Sequence, residues 1–460
     1  MKYLITVVVV GCILLSTKFA GNTALKPEAG EELSGGSGTV FNASASAFGY
    51  PDKNLNAEEA LYFFTGNSLF NQSWVTAPAS TTARDGLGPL FNARSCSSCH
   101  LRDGRGRPPA FDGEKSHGLL LRLAHGNNPH SGPIADPVYG AQLQDRAIRK
   151  LEAEAEFKII HKEITGTYPD GTPYSLCEPT YQIVNEKEGD INVSEISPRI
   201  ANQMIGMGLL EAIDEETLLS FADEHDSDGD GISGRPNYVW NVEANATTIG
   251  RFGWKANQPT LRQQVAAAFS GDLGITSSIF PEENCPPSVD CDQIPNGGYP
   301  EIPDENLHKV ALYSSSLAVP GRRDWKDEEV LKGKFLFAEA NCGSCHIPKI
   351  TTAKHPVFEA FSDKTIRPYT DLRLHDMGEA LADNAGDYLA NGREWRTPPL
   401  WGIGLFKIVN KHTYYLHDGR ARNLEEAILW HGGEAEASKQ AFMKMDKEER
   451  EQLIKFLKSL

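Results

Sequence analysis

Cys96-Ser97-Ser98-Cys99-His100 and Cys342-Gly343-Ser344-Cys345-His346 are two copies of one pattern in a chain of 460 residues. Cys-x-x-Cys-His is the attachment signature of c-type haem: two thiols add to the porphyrin vinyl groups, and the adjoining histidine offers a nitrogen to iron. A thioredoxin-like dithiol or half a zinc site would also use Cys-x-x-Cys. A redox dithiol has no need of the histidine twice, and a structural zinc site requires further ligands at metal spacing. The pair therefore predicts two covalently bound haem c groups, held by Cys96, Cys99, Cys342 and Cys345, with His100 and His346 as metal ligands.

Outward from the pentapeptides the resemblance between the two segments continues, as a duplication requires. Gly66-Asn-Ser-Leu-Phe70 precedes the first and Gly333-Lys-Phe-Leu-Phe337 the second. Downstream, Gly206-Met-Gly-Leu209 answers Gly402-Ile-Gly-Leu405, and Trp254-Lys-Ala256 leading to Leu261 answers Asp418-Gly-Arg-Ala421 leading to Leu424. Each match is short; their common order carries the reading. The expected fold class is mainly α: two cytochrome c-like haem modules in tandem, at 50–275 and 325–460, the first enlarged by loop insertions. A Pro- and Gly-rich linker at 276–324 joins them. Glu328 to Glu339 reads as a helix, and Leu453, Phe456, Leu457 and Leu460 predict a closing amphipathic helix.

The bulk composition narrows the partners. With 40% apolar residues the chain can bury a core, and 62 acidic against 45 basic residues leave a net charge of −17. Such a surface repels nucleic acid and anionic lipid, which points to proteins or small molecules. Met1-Lys2 followed by the apolar run Leu4 to Leu15 reads as an export signal over 1–24, too short to span a bilayer. Val9-Val10-Gly11-Cys12 also resembles a lipoprotein cleavage box, giving a candidate lipid anchor at Cys12 and a periplasmic or cell-envelope location. Of the three remaining cysteines, Cys285 and Cys291 flank a short loop that a disulfide would close, although either could pair with Cys177.

Longer motifs resemble one family. Gly86-Leu-Gly-Pro-Leu-Phe-Asn-Ala-Arg-Ser-Cys-Ser-Ser-Cys-His100, Tyr139-Gly-Ala-Gln-Leu-Gln144, Gly250-Arg-Phe-Gly-Trp-Lys-Ala256, His375-Asp-Met-Gly378 and His417-Asp-Gly-Arg420 resemble the bacterial di-haem oxidoreductases of the peroxidase type, also called thiol oxidoreductases. The match runs over about 50 to 460, and the family is similar to the di-haem cytochrome c peroxidases. In those relatives one haem takes electrons and the other meets the substrate. The resemblance implies a small redox protein as donor or acceptor and a small-molecule oxidant such as peroxide. An electron carrier without its own substrate, or a redox component of a surface uptake system, are the competing readings.

Axial ligation separates a relay haem from a reactive one. His431 stands fourteen positions after His417, where the resembling peroxidases carry methionine, so it is the candidate sixth ligand of the second haem; Met377, Met443 and Met445 compete. Laid on the first module, His431 falls opposite Ala268, which cannot bind iron. The first haem is therefore expected to be open or displaceably ligated, with Met204, Met207, Lys255 and His117 as candidates. Asp272 matches the catalytic glutamate of the resembling peroxidases and is the candidate acid/base. Trp254 is the first candidate for an aromatic relay between the haems, and Trp401 the second.

Asp226-Ser-Asp228-Gly-Asp230-Gly-Ile232 spaces carboxylates at positions 1, 3 and 5, glycine at 6 and a carbonyl at 7, the order a calcium loop needs. Asn237 occupies position 12 in place of the usual glutamate.

Overall fold

The computed structural model describes residues 26–460, apart from 112, 116, 192–194 and 286–288. The export signal over 1–24 and Cys12 lie outside the described residues. A helix delivers the chain to each pentapeptide. Ala57–Asn71 begins with a capping box, in which the Asn56 side chain accepts from the Glu58 and Glu59 N–H groups and Glu59 reaches back to the Asn56 N–H. Glu328–Glu339 begins on Asp327, whose carboxylate takes up the Glu329 and Val330 N–H groups.

Both helices pack by the same device. At Gly66 the first crosses the helix Asp304–Ser315 so closely that a Cβ would stand 2.1 Å from the Lys309 carbonyl oxygen. At Gly333 the second crosses Lys447–Ser459, where a Cβ would stand 2.0 Å from the Gln452 carbonyl oxygen. Only glycine permits such backbone approach. These glycines open the matched segments, and the phenylalanines that close them reach the haem-motif histidines. Phe70 lies 6.1 Å from the His100 ring and Phe337 lies 6.4 Å from that of His346. The crossing helices add Tyr313 and Phe456, each 5.1 Å from its phenylalanine.

Asp304–Ser315 belongs to the stretch read as a linker. Its Leu307, Val310, Leu312 and Tyr313 are buried, so the Pro- and Gly-rich flanks of 276–324 conceal a core helix. Cys285 and Cys291 form a disulfide before it, and Cys177 is a buried free thiol.

The mainly-α expectation is corrected by the structure: helices make up 29% and strands 19% of the described residues. Among the described residues the strands form seven two-stranded antiparallel sheets, among them Leu119–Ala124 with Glu195–Ile200 and the long hairpin Glu156–Thr167 with Pro173–Val184. The hairpin is joined by a tight turn, whereas Leu119–Ala124 and Glu195–Ile200 come together from distant parts of the chain. The hairpin turns at Asp170-Gly171 and leaves most of both strands exposed or half-buried, so its residues show little of the alternation by which a strand announces itself.

Candidate haem cavities

Each pentapeptide winds into a tight turn that gathers its thiols and histidine. The His100 N–H donates to the Cys96 carbonyl at 2.9 Å and the His346 N–H to the Cys342 carbonyl at 3.0 Å. Burial pushes the Cys96 and Cys342 thiols up to about 12. Both thiols are thereby disfavoured as thiolates. Among the described residues neither pair belongs to a three-ligand metal cluster, which counts against structural zinc.

Histidine orientation suits iron. His100 Nδ1 lies 2.7 Å from the Asn202 carbonyl oxygen and His346 Nδ1 lies 3.0 Å from that of Tyr369. A carbonyl only accepts, so Nδ1 carries the proton and Nε2 keeps its lone pair for a metal. Burial lowers both histidines, His346 to about 4, with His431 adding to the effect there. Both rings are therefore neutral, the form that ligates.

Behind each pentapeptide opens a separate cavity. The first is lined by Cys96, Cys99 and His100, the second by Cys342, Cys345 and His346. With their open mouths the empty volumes are about 1570 and 1420 Å³. Apolar walls, neutral histidines and paired thiols make up the chemistry that a haem c requires.

The two linings differ. His431 lines the second cavity, just beyond the helix Leu424–Leu429, which starts with Asn423 accepting from the Glu426 N–H. Its Nδ1 donates to the Ala427 carbonyl at 2.7 Å, leaving Nε2 for a metal as in His346. Met377 lines the same cavity; Met443 and Met445 do not. In the first cavity Ala268 stands at the end of the helix Leu261–Ala268, and a π-helical turn, Phe269–Leu273, brings Asp272 into the lining. Gln142 Nε2 donates to Asp272 Oδ1 at 2.9 Å, and Gln144 Nε2 to the Gly271 carbonyl at 2.8 Å. The two glutamines of the Tyr139 to Gln144 motif thus converge on the turn that carries Asp272.

Other sequence candidates fall elsewhere. Met204 and Met207 line the first cavity. Lys255 is buried in an ion pair with Asp383 at 3.1 Å, and His117 pairs with Glu114 at 3.7 Å; neither lines the first cavity. Trp254 belongs to both linings, with Nε1 donating to the Ile200 carbonyl at 2.8 Å and the Arg105 guanidinium 5.3 Å from its ring. Trp401 is buried and lines neither.

In the acidic loop, carboxylate oxygens of Asp223, Asp226 and Asp228 lie within 4.8 Å of one another, so Asp223 joins the cluster and Asp230 does not. The Asp230 carboxylate instead accepts from the Ile232 N–H at 2.8 Å, and Ile232 touches the second cavity. Asn237 is buried away from the loop and donates to the Lys255 and Asp387 carbonyls at 2.7 and 2.9 Å.

Sequence reasoning missed two charged groups. His375 has Asp371 at 2.8 Å from Nε2 and Glu434 at 2.6 Å from Nδ1. Burial alone would lower it, but Asp371 and Glu434 hold it well above the ordinary histidine range, as an imidazolium beside Cys345. Arg122 and Leu120 line the first cavity, while Leu121 and Leu123 are buried on the opposite face of the strand. A lone arginine in Leu119-Leu-Leu-Arg-Leu-Ala124 was the available signal.

A family model described as "Di-haem oxidoreductase, putative peroxidase" matches residues 29–460. No curated protein matches the sequence. Among solved structures, the hydrazine synthase of Kuenenia stuttgartiensis, pressurised with 20 bar xenon, is 13% identical with a TM-score of 0.33. That likeness spans 90% of this chain and 94% of the other and is too low to establish a shared fold. Among the described residues no helix is long and apolar enough to cross a membrane.

Proposed function

The chain belongs to the di-haem oxidoreductase family of the peroxidase type, and from that premise we propose that it is an exported c-type enzyme passing electrons from a small redox protein to an oxidant such as peroxide. When bound, the two haems supply the redox chemistry. Cys96, Cys99, Cys342 and Cys345 would anchor them through thioether bonds, and His100 and His346 would each offer Nε2 to an iron. One asymmetry supports this reading: the second cavity has His431 in its lining, and the first has Ala268 with Asp272 nearby.

His431 would close the second site to substrate and suit it to electron relay, with a lower potential than methionine would give. Ala268 offers no ligand, so the first site would be open, or closed only by a displaceable Met204 or Met207 from the same lining, and could admit a small molecule. Asp272, held at one oxygen by Gln142, would take a proton from the substrate and return it to the departing oxygen. Trp254, in the wall of both cavities, would carry electrons between them. Two cytochrome c-like modules built on the Gly66 and Gly333 crossings are the matching domain organisation. The Cys285–Cys291 disulfide fits an oxidising compartment, hence the periplasm or cell envelope. Calcium at the Asp223, Asp226 and Asp228 carboxylates would brace the loop that ends on the second cavity. Calorimetry of chelator-treated protein that gives no heat with calcium would remove that assignment.

Anaerobic stopped-flow spectroscopy of the fully reduced and half-reduced protein with hydrogen peroxide tests the function. Rapid oxidation that slows by about 100-fold or more in Asp272→Asn is the expected result. Absence of any peroxide reaction in every redox state would leave an electron carrier.

A further inference from the structure

Among the described residues, three guanidinium groups of the cavity walls have no hydrogen-bonded carboxylate. Arg396 lines both cavities; its Nε donates to the Gly253 carbonyl at 2.7 Å and its Nη1 to the Thr397 carbonyl at 3.2 Å. Arg105 lines the second cavity, its Nη2 donating to the Leu416 carbonyl at 2.6 Å and its buried Nε having no hydrogen-bond partner. Arg122 lines the first, with Leu120 beside it on the same face of its strand. Arg199, which also lines the first cavity, serves as the contrast, since Asp387 pairs with it at 2.9 Å.

A guanidinium removed from water is costly unless an anion meets it, and neutral carbonyls neutralise no charge. Arg105 and Arg396 are only 5% exposed, and the carboxylates that act on them, Asp418 and Asp371, do so without a hydrogen bond, as Asp272 does on Arg122, so the open donors face whatever fills the cavities. Arginine presents a planar fork suited to carboxylates. A haem held by thioethers along one edge brings two propionate carboxylates on another. An anionic substrate would be the other source of the same chemistry, but it would not account for cations in both cavities at once.

We propose that Arg396 binds a propionate carboxylate of each haem, with Arg122 completing the first propionate site and Arg105 the second. This inference rests on the di-haem reading above. It turns the propionate edges of both haems toward the wall that contains Trp254, making Arg396 an electrostatic link between the two centres.

The test uses the matured protein and Arg396→Gln, Arg122→Gln and Arg105→Gln, with Arg396→Lys as the charge-conserving control. Intact mass first establishes that each variant carries both haems; wild type without them would refute the di-haem reading, whatever the arginines do. Redox titration and resonance Raman spectra are then recorded. Arg396→Gln should lower both midpoint potentials and shift the propionate bending modes of both haems. Arg122→Gln should do so for the first haem and Arg105→Gln for the second, and Arg396→Lys should largely retain the potentials. Unchanged propionate modes in Arg396→Gln would overturn the proposal, even with shifted potentials, because the guanidinium would then act from a distance or hold some other anion.

Discussion

In the proposed function, His431 and Ala268 are the residues on which the division of labour would turn. Both follow a leucine by seven positions, yet one offers an imidazole nitrogen to its cavity and the other a methyl group. Removing the imidazole should open the second site: His431→Ala is expected to convert one low-spin ferric signal to high-spin in electron paramagnetic resonance and to leave the other haem unchanged. An unaltered spectrum would assign the sixth ligand elsewhere, with Met377 the next residue to replace. These positions are legible in sequence because duplication preserves spacing. The support for Asp272 is not, since Gln142 lies 130 positions away and meets it only in the folded chain.

At the scale of elements, the glycine crossings hold each pentapeptide in place. Gly66→Ala gains about 1 kcal/mol of helix propensity, but its Cβ would strike the Lys309 carbonyl. Overpacking of that kind costs about 1–3 kcal/mol, so the variant should melt at lower temperature in a thermal scan, with Gly333→Ala behaving alike. A Gly66→Ala protein as stable as wild type would show that the helices part without penalty. The helix before the second pentapeptide and the one at the carboxyl end are readable from their apolar spacing, whereas Ala57–Asn71 carries almost none. The helix Asp304–Ser315 is hidden by its flanks, and the sheets by their brevity, because a chain that wraps large cavities gains burial from those cavities as well as from long regular elements.

Within the whole molecule, one buried carboxyl, Glu154, should itself lower stability as pH rises. Glu154 is buried and accepts from the Gln144 N–H at 2.6 Å; burial lifts its carboxyl from 4.5 to about 8. A folded-state acid raised in this way favours folding while protonated, so its contribution is complete below 4.5 and is lost as pH climbs through about 8. Glu154→Gln keeps the acceptor and cannot ionise. Denaturation on either side of that window should show a smaller alkaline loss than in wild type, and an identical pH profile would place the cause elsewhere.

The account as a whole requires two porphyrins bonded to one polypeptide. Intact mass after acid-acetone extraction of the matured protein measures this directly. The expected result is the chain plus two haem masses, with both retained. Recovery of the bare polypeptide, with the haem in the solvent, would contradict it.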